Sequence, residues 1–193
     1  LLRNGTTTAL VFCAVYPQSV DALFEAAARR NLRLVAGKVL MDRNAPPALL
    51  DTAQSGYDES KALIARWHGR GRLGYAITPR FAVTSSPAQL EAAGALWREH
   101  PDCWVQSHVS ENLDEVRWAH ELFPASRSYL AVYDDHGLMR QRAVYAHECA
   151  GADLLSLLLQ RGHWVTTPIA DLLAEATDAL AEANHPITGF PFP

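Results

Sequence analysis

The sequence predicts an α/β fold built on a parallel sheet, and three observations point to it. Apolar runs of strand length alternate with amphipathic helical stretches six times along the chain. No Gly-rich GxGxxG turn follows any of these runs. Polar residues cluster instead after several of them, at Asp42, Arg80, His108, Glu111 and His147. Side chains drawn from the ends of several strands are the habit of a closed (β/α)8 barrel, whose chemistry lies on its carboxyl face, rather than of an open doubly wound sheet. Six units fall short of eight. The expectation is therefore an incomplete (β/α)8 barrel of roughly six units, strands two to seven, over 1–183, followed by an irregular tail at 184–193.

Taken in order, the apolar run 9–15 follows the turn pair Asn4-Gly5 and reads as the first strand. A helix over 17–30 carries Val20, Leu23, Phe24 and Ala27 on one stripe, and 32–40 is a second buried strand. Pro46 and Pro47 break the loop that follows, 60–68 is the next helix, and Gly69-Arg70-Gly71 stops it. Strand 73–78 ends at Pro79-Arg80-Phe81. Ser86-Pro87 then opens a helix reaching about His100, with Ser as cap and Pro in the first turn. A fourth strand carries His108, helices follow at 113–123 and 129–133, and 143–147 is a fifth strand whose inward set reads as Ala143, Tyr145 and His147. A helix at 153–160, a strand at 164–166 and a helix at 169–183 complete the series.

Composition narrows the function classes. The chain has 193 residues, 49% hydrophobic and 20% charged, with a net charge of −4, enough for one sizeable core. Its Lys and Arg are scattered without a basic face, so a nucleic-acid backbone is not an expected partner. No apolar run approaches the roughly 20 residues that span a bilayer, and no signal-peptide pattern opens the sequence. Cys13, Cys103 and Cys149 are odd in number and lack a CxxC pair, which points to reduced thiols in the cytoplasm. The opening on Leu1 and a turn pair reads as a sequence cut from something longer.

The most informative stretch is Trp104-Val105-Gln106-Ser107-His108-Val109-Ser110-Glu111-Asn112. Alternation puts Trp104, Gln106 and His108 on one face of a strand, with Cys103, Val105 and Ser107 on the other. A neutral imidazole is the commonest protein ligand for zinc, and a carboxylate three residues on is placed to trade protons with an activated water. A strand-end histidine hydrogen-bonded to a neighbour is the plainer reading of the same residue.

Gly56-Tyr57-Asp58-Glu59-Ser60-Lys61 with Trp67-His68-Gly69, then Thr78-Pro79-Arg80-Phe81, then Gln106-Ser107-His108-Val109-Ser110-Glu111-Asn112 together resemble the guanine deaminases of the amidohydrolase superfamily. The similarity runs over 1–147, and 148–183 is divergent. The resemblance implies a zinc-dependent barrel that hydrolyses guanine to xanthine and ammonia, with a small-molecule substrate and a homodimeric assembly. It places His108 and His147 as zinc ligands after the family's fifth and sixth strands. Glu111 falls on its proton-shuttling carboxylate, and Arg80 and Phe81 on its purine-recognition pair, with His108, Ser110 and Glu111 also lining the substrate. An Arg fork offers donors suited to a purine carbonyl, and an aromatic ring offers a packing face. A surface ion pair for Arg80 and a core position for Phe81 are the plainer alternatives.

The sequence also departs from that pattern. The family's His-x-His after its first strand would lie before Leu1, its Asp ligand after the eighth strand would lie beyond the tail, and the His-Cys-Pro-x-Ser-Asn of its seventh strand falls near Thr166-Thr167-Pro168 without the histidine. Asp171 sits in an expected helix and is not assigned to metal. Lys38 reads as structural rather than as a carboxylated bridging lysine, and His68, His100, His120, His136 and His163 as solvated, capping or strand-opening residues. The function classes in competition are a zinc-dependent guanine deaminase in part or diverged form, an inactive barrel remnant serving only self-association, and an aminohydrolase for another purine or a triazine. The Arg80-Phe81 pair argues for guanine.

Overall fold

A computed structural model of the chain describes residues 1–147. The helices expected at 153–160 and 169–183, the strand at 164–166 and the tail at 184–193 lie outside the described residues. Residues 1–147 fall within one compact unit.

Within it the elements run β1 (Thr8–Phe12), α1 (Pro17–Arg29), β2 (Arg33–Gly37), β3 (Val39–Leu40), α2 (Ala53–Trp67), β4 (Leu73–Pro79), α3 (Pro87–Glu99), β5 (Trp104–Val109), α4 (Leu113–Leu122), α5 (Tyr129–Asp135) and β6 (Ala143–His147), with single 3-10 turns at Leu2–Asn4, Pro47–Leu49 and Ala82–Thr84. All pairings are parallel, in the order β1-β2-β4-β5-β6, with β3 carrying the β2 path onward along β4. The strands lie in chain order, so each connection adds the next strand to the same edge, as a barrel requires.

The sheet is strongly curled. β1 and β5 stand three strand spacings apart in the order, roughly 14 Å on a flat sheet. Yet Gln106 Nε2 donates to the Val11 carbonyl at 3.0 Å and the Phe12 ring packs on His108 with centroids 4.4 Å apart. Only a sheet closing on itself brings those strands together. The described residues thus form part of an incomplete (β/α)8 barrel, with α1, α2 and α3 packed outside it.

Burial follows the expected pattern. All seven residues of β4, the central strand, are buried, which is the mark of a strand covered on both faces. In α1 the stripe Val20, Phe24 and Ala27 is buried, and each large apolar member contributes about 1.5–3 kcal/mol. Ser86 caps α3 by accepting from the Gln89 N–H at 3.2 Å, and Pro87 fills its first position.

Three boundaries differ from the sequence reading. β1 ends at Phe12, three residues short of the apolar run. The strand expected over 32–40 is interrupted at Lys38, beside Gly37, where a Cβ would lie 1.7 Å from the Ala76 carbonyl oxygen. α2 starts at Ala53 rather than Ser60, because Thr52 and Ser55 form a capping box. Gly56 lies inside this helix, where an added Cβ would stand 3.0 Å from the Asp51 carboxylate and 3.1 Å from a Leu40 methyl.

Lys38 is structural, as expected. It is fully buried, with Nζ 2.7 Å from Asp51 and 2.8 Å from Glu59. Asp42, one of the polar strand-end residues, accepts the Ser86 N–H at 2.7 Å and the Ser86 hydroxyl, and so fastens the loop after β3 to the start of α3. Among the described residues no helix is long and apolar enough to cross a membrane.

Candidate functional site

The carboxyl ends of β4, β5 and β6 bring the predicted residues to one rim. Register sets Val109 opposite His147 and His108 opposite Ala146. Residues opposite one another in a parallel pair face the same side, so regular geometry would turn His147 away from His108. A left-handed backbone at His147, φ 86°, undoes this, at a cost for a non-glycine residue of about 1–2 kcal/mol. The two imidazoles lie nearly parallel, 16° apart in plane, with centroids at 5.4 Å.

The inward set expected for this strand is thereby corrected. Tyr145 faces the helical layer, with its ring 4.8 Å from Tyr133 of α5 and its hydroxyl donating to the Leu138 carbonyl at 2.9 Å. His147 reaches the inner rim through its backbone, not through alternation with Tyr145.

His108 is held in a definite tautomer. Its Nδ1 lies 3.0 Å from the Arg80 carbonyl oxygen, which can only accept, so Nδ1 carries the proton and the Nε2 lone pair is left for a cation. The Phe12 ring covers one side. Two neighbouring imidazoles, one with its tautomer fixed, are of the chemical type that fills two positions of a zinc shell. A catalytic zinc takes at least three protein ligands, and among the described residues this rim supplies His108 and His147.

Arg80 and Phe81 follow β4 directly. The Arg80 guanidinium is exposed and has no ion pair among the described residues, so the surface ion-pair reading finds no partner. Phe81 is half-buried rather than core, and with Glu111, Asn112, Asp114, Glu115 and Trp118 it lines a cavity of about 350 Å³. Glu111 stands exposed in the loop after β5. Ser110, 4% exposed, turns that loop with a left-handed φ of 52°. The structure thus gathers His108 with His147, and Phe81 with Glu111, while Ser110 shapes the loop between them.

Sequence reasoning missed Glu115. It is the N3 residue of α4, whose cap is Asn112 accepting the Glu115 N–H at 2.9 Å. The side chain is buried and its Oε1 has no hydrogen-bond partner among the described residues. Burial pushes its carboxyl above the ordinary Glu range and the charge of Glu111 adds to this, against the pull of Tyr129, His108 and His147. Tyr129 Oη couples to it electrostatically but makes no hydrogen bond of normal geometry. A Glu four residues after Glu111 was the available signal. It looked like an ordinary charge in the first turn of a helix.

A second cluster offers metal-ligand types at the opposite, amino end of the strands: His68, Asp102 and Cys103, with ligand atoms within 4.8 Å of one another. Its hydrogen bonds argue against a metal. His68 Nδ1 accepts the Tyr75 N–H at 2.9 Å, so the ring proton sits on Nε2, which donates to Asp102 Oδ2 at 3.0 Å. No imidazole lone pair is left for an ion, and burial pushes the Cys103 thiol up to about 12. These residues latch the end of α2 to the start of β5.

The whole arrangement has known counterparts. The amidohydrolase family model matches residues 1–185. The guanine deaminase of Escherichia coli K12 is 61% identical over 147 residues, covering 76% of this chain and 34% of the relative. A crystal structure of guanine deaminase from Bradyrhizobium japonicum superposes with a TM-score of 0.76 at 43% identity, over 78% of this chain and 32% of that one. The guanine deaminase of C. acetobutylicum, solved with guanine in its active site, superposes with a TM-score of 0.77 at 29% identity, over 82% of this chain and 38% of that one. The chain spans about a third of the length of the curated relatives it matches. With the family model covering nearly its full length and the barrel rim built as described, this chain belongs to the amidohydrolase family.

Proposed function

We propose that this chain serves the hydrolytic deamination of guanine to xanthine and ammonia, and that His108 and His147 hold a catalytic zinc. The observation that carries the reading is the pair of neighbouring imidazoles, one with its Nε2 freed by the Arg80 carbonyl, together with a cavity lined by Phe81 and Glu111. Similarity to guanine deaminases supports the same substrate.

A bound zinc supplies Lewis-acid activation of water and of the reacting ring carbon. The protein's own groups do the rest. Phe81 packs against the planar purine, and the free Arg80 fork donates to its carbonyl edge. Glu111, exposed at the rim, carries one proton of the attacking water to the ring nitrogen and the second, from the new hydroxyl, to the amino group, which leaves as ammonia as the carbon–nitrogen bond breaks. Ser110 holds the loop that presents Glu111. The family resemblance suggests a homodimer, and among the described residues Leu10 and Val144, on the outermost strands β1 and β6, are exposed apolar side chains that favour association. The unpaired thiols of Cys13 and Cys103 agree with a cytoplasmic setting.

The test is xanthine formation from guanine by a zinc-loaded barrel assembled from this chain and the complementary segments of the E. coli relative. Turnover is expected, with loss on Glu111→Gln. Arg80→Ala should lower kcat/KM by about 10- to 150-fold, the equivalent of one charged hydrogen bond. Turnover unaffected by Glu111→Gln would refute the assignment.

A further inference from the structure

We propose that Tyr133 is the positioning residue that fixes the Arg80–Phe81 pair relative to His108. What the two sides do rests on the deaminase reading, but the geometry that joins them does not.

Tyr133 lies on α5, outside the sheet, and is 0% exposed. Its hydroxyl has one proton and two lone pairs, and all are used. It donates to the His108 carbonyl at 2.7 Å and accepts from the Ala82 N–H at 3.0 Å and the Ser107 hydroxyl at 3.0 Å. The ring is packed between Tyr129, 6.1 Å away and nearly parallel, and Tyr145 at 4.8 Å, so it has little freedom to follow a shifting partner.

These bonds bracket Phe81. On its amino side, the Arg80 carbonyl accepts both the His108 backbone N–H, at 2.9 Å, and the His108 ring Nδ1–H, at 3.0 Å. On its carboxyl side, the Ala82 N–H is held by Tyr133, which also holds the His108 carbonyl. The residue that would recognise the purine and the histidine that would hold the metal are thereby tied into one closed ring of backbone hydrogen bonds, with Tyr133 as the outer clasp. Such a clasp sets the separation between a bound ring and the reacting water, a distance on which rates depend steeply. The same ring fixes the His108 tautomer, since a drift of the Arg80 carbonyl frees Nδ1.

The experiment is NMR on the chain itself. In the wild type, the Tyr133 hydroxyl proton should give a slowly exchanging resonance with a cross-peak to the Ala82 amide. Tyr133→Phe should speed Ala82 amide exchange by at least about tenfold relative to the Leu34 amide on β2, as expected when a buried donor loses its acceptor. His108 ring ¹⁵N shifts should move from a single Nδ1–H tautomer to a mixture. Tyr145→Phe removes a neighbouring hydroxyl that bonds only the Leu138 carbonyl, and should change neither signal. Absence of the wild-type hydroxyl resonance, an unchanged Ala82 and His108 in Tyr133→Phe, or the same changes in Tyr145→Phe would each overturn the proposal. Should Tyr133→Phe fail to fold, the wild-type resonance alone decides. No arm uses guanine, zinc or turnover, so failure of the deaminase reading in the xanthine assay remains a separate result.

Discussion

Ser107 and His108 are neighbours at the end of β5 and face opposite sides of the sheet. Ser107 points into the helical layer, where its hydroxyl, Tyr133 Oη, the Ala82 amide and the His108 and Arg80 carbonyls satisfy one another. His108 points to the inner rim, where its Nε2, the Arg80 guanidinium and the Glu111 carboxylate are left uncommitted among the described residues. Beneath it, the Gln106 amide donates to Val11 and Thr78 while its Oε1 has no partner there. The outer face uses its polar groups to fix position, and the inner face keeps them for something else. Stability and chemistry are therefore expected to separate, strand face by strand face.

The largest effect should come from the helical layer. Lys38→Met leaves Asp51, whose side chain is 8% exposed, as a buried charge without its cation, and should cost roughly 3–5 kcal/mol in urea unfolding. A loss below about 1 kcal/mol would mean that this layer tolerates unpaired charge and would break the contrast. Next, Tyr133→Phe strands the Ala82 N–H and should cost about 1–3 kcal/mol. His108→Ala, one residue from Ser107, loses the Phe12 contact and one hydrogen bond but leaves the Arg80 carbonyl its bond from the His108 N–H, and should cost about 1 kcal/mol or less. Equal losses in those two variants would erase the distinction between the faces.

A pH effect sharpens the comparison at Glu115, the buried carboxyl nearest the rim. Its folded-state value is raised by burial and by Glu111, so the folded state binds that proton more tightly than the unfolded chain. The resulting stability is fully present below the ordinary Glu value and is lost as pH rises through the raised one. Glu115→Gln, which cannot ionise, should be more stable than wild type at pH 7, and the advantage should vanish as pH falls below about 4. Urea midpoints that differ equally at both pH values would show that Glu115 is already paired when folded.

What could be read from the sequence was what is local. The cap at Ser86, the Trp104–Val109 strand and the polar ends of several strands all follow from residues within a few positions of each other. The close packing at Gly56 carried no local signal, since Leu40 and Asp51 meet it only on folding. The inner placement of His147 depends on a left-handed backbone that strand alternation cannot foresee. Tyr133 carried no signal, since its three partners lie 25 to 51 positions away in sequence. His68, Asp102 and Cys103 show the converse. They satisfy the chemistry of a metal site by type and proximity, and only the Tyr75 amide reveals which ring nitrogen is already taken.

That last contrast gives the most direct test of where the metal chemistry lies. Cobalt(II) or zinc titrated into the purified chain should bind at the His108–His147 rim, weakly if those two side chains are its main ligands. Binding should be lost in His108→Ala and in His147→Ala and unchanged in His68→Ala. Binding that survives both rim substitutions and disappears with His68→Ala would place the metal at the opposite end of the barrel and contradict the account.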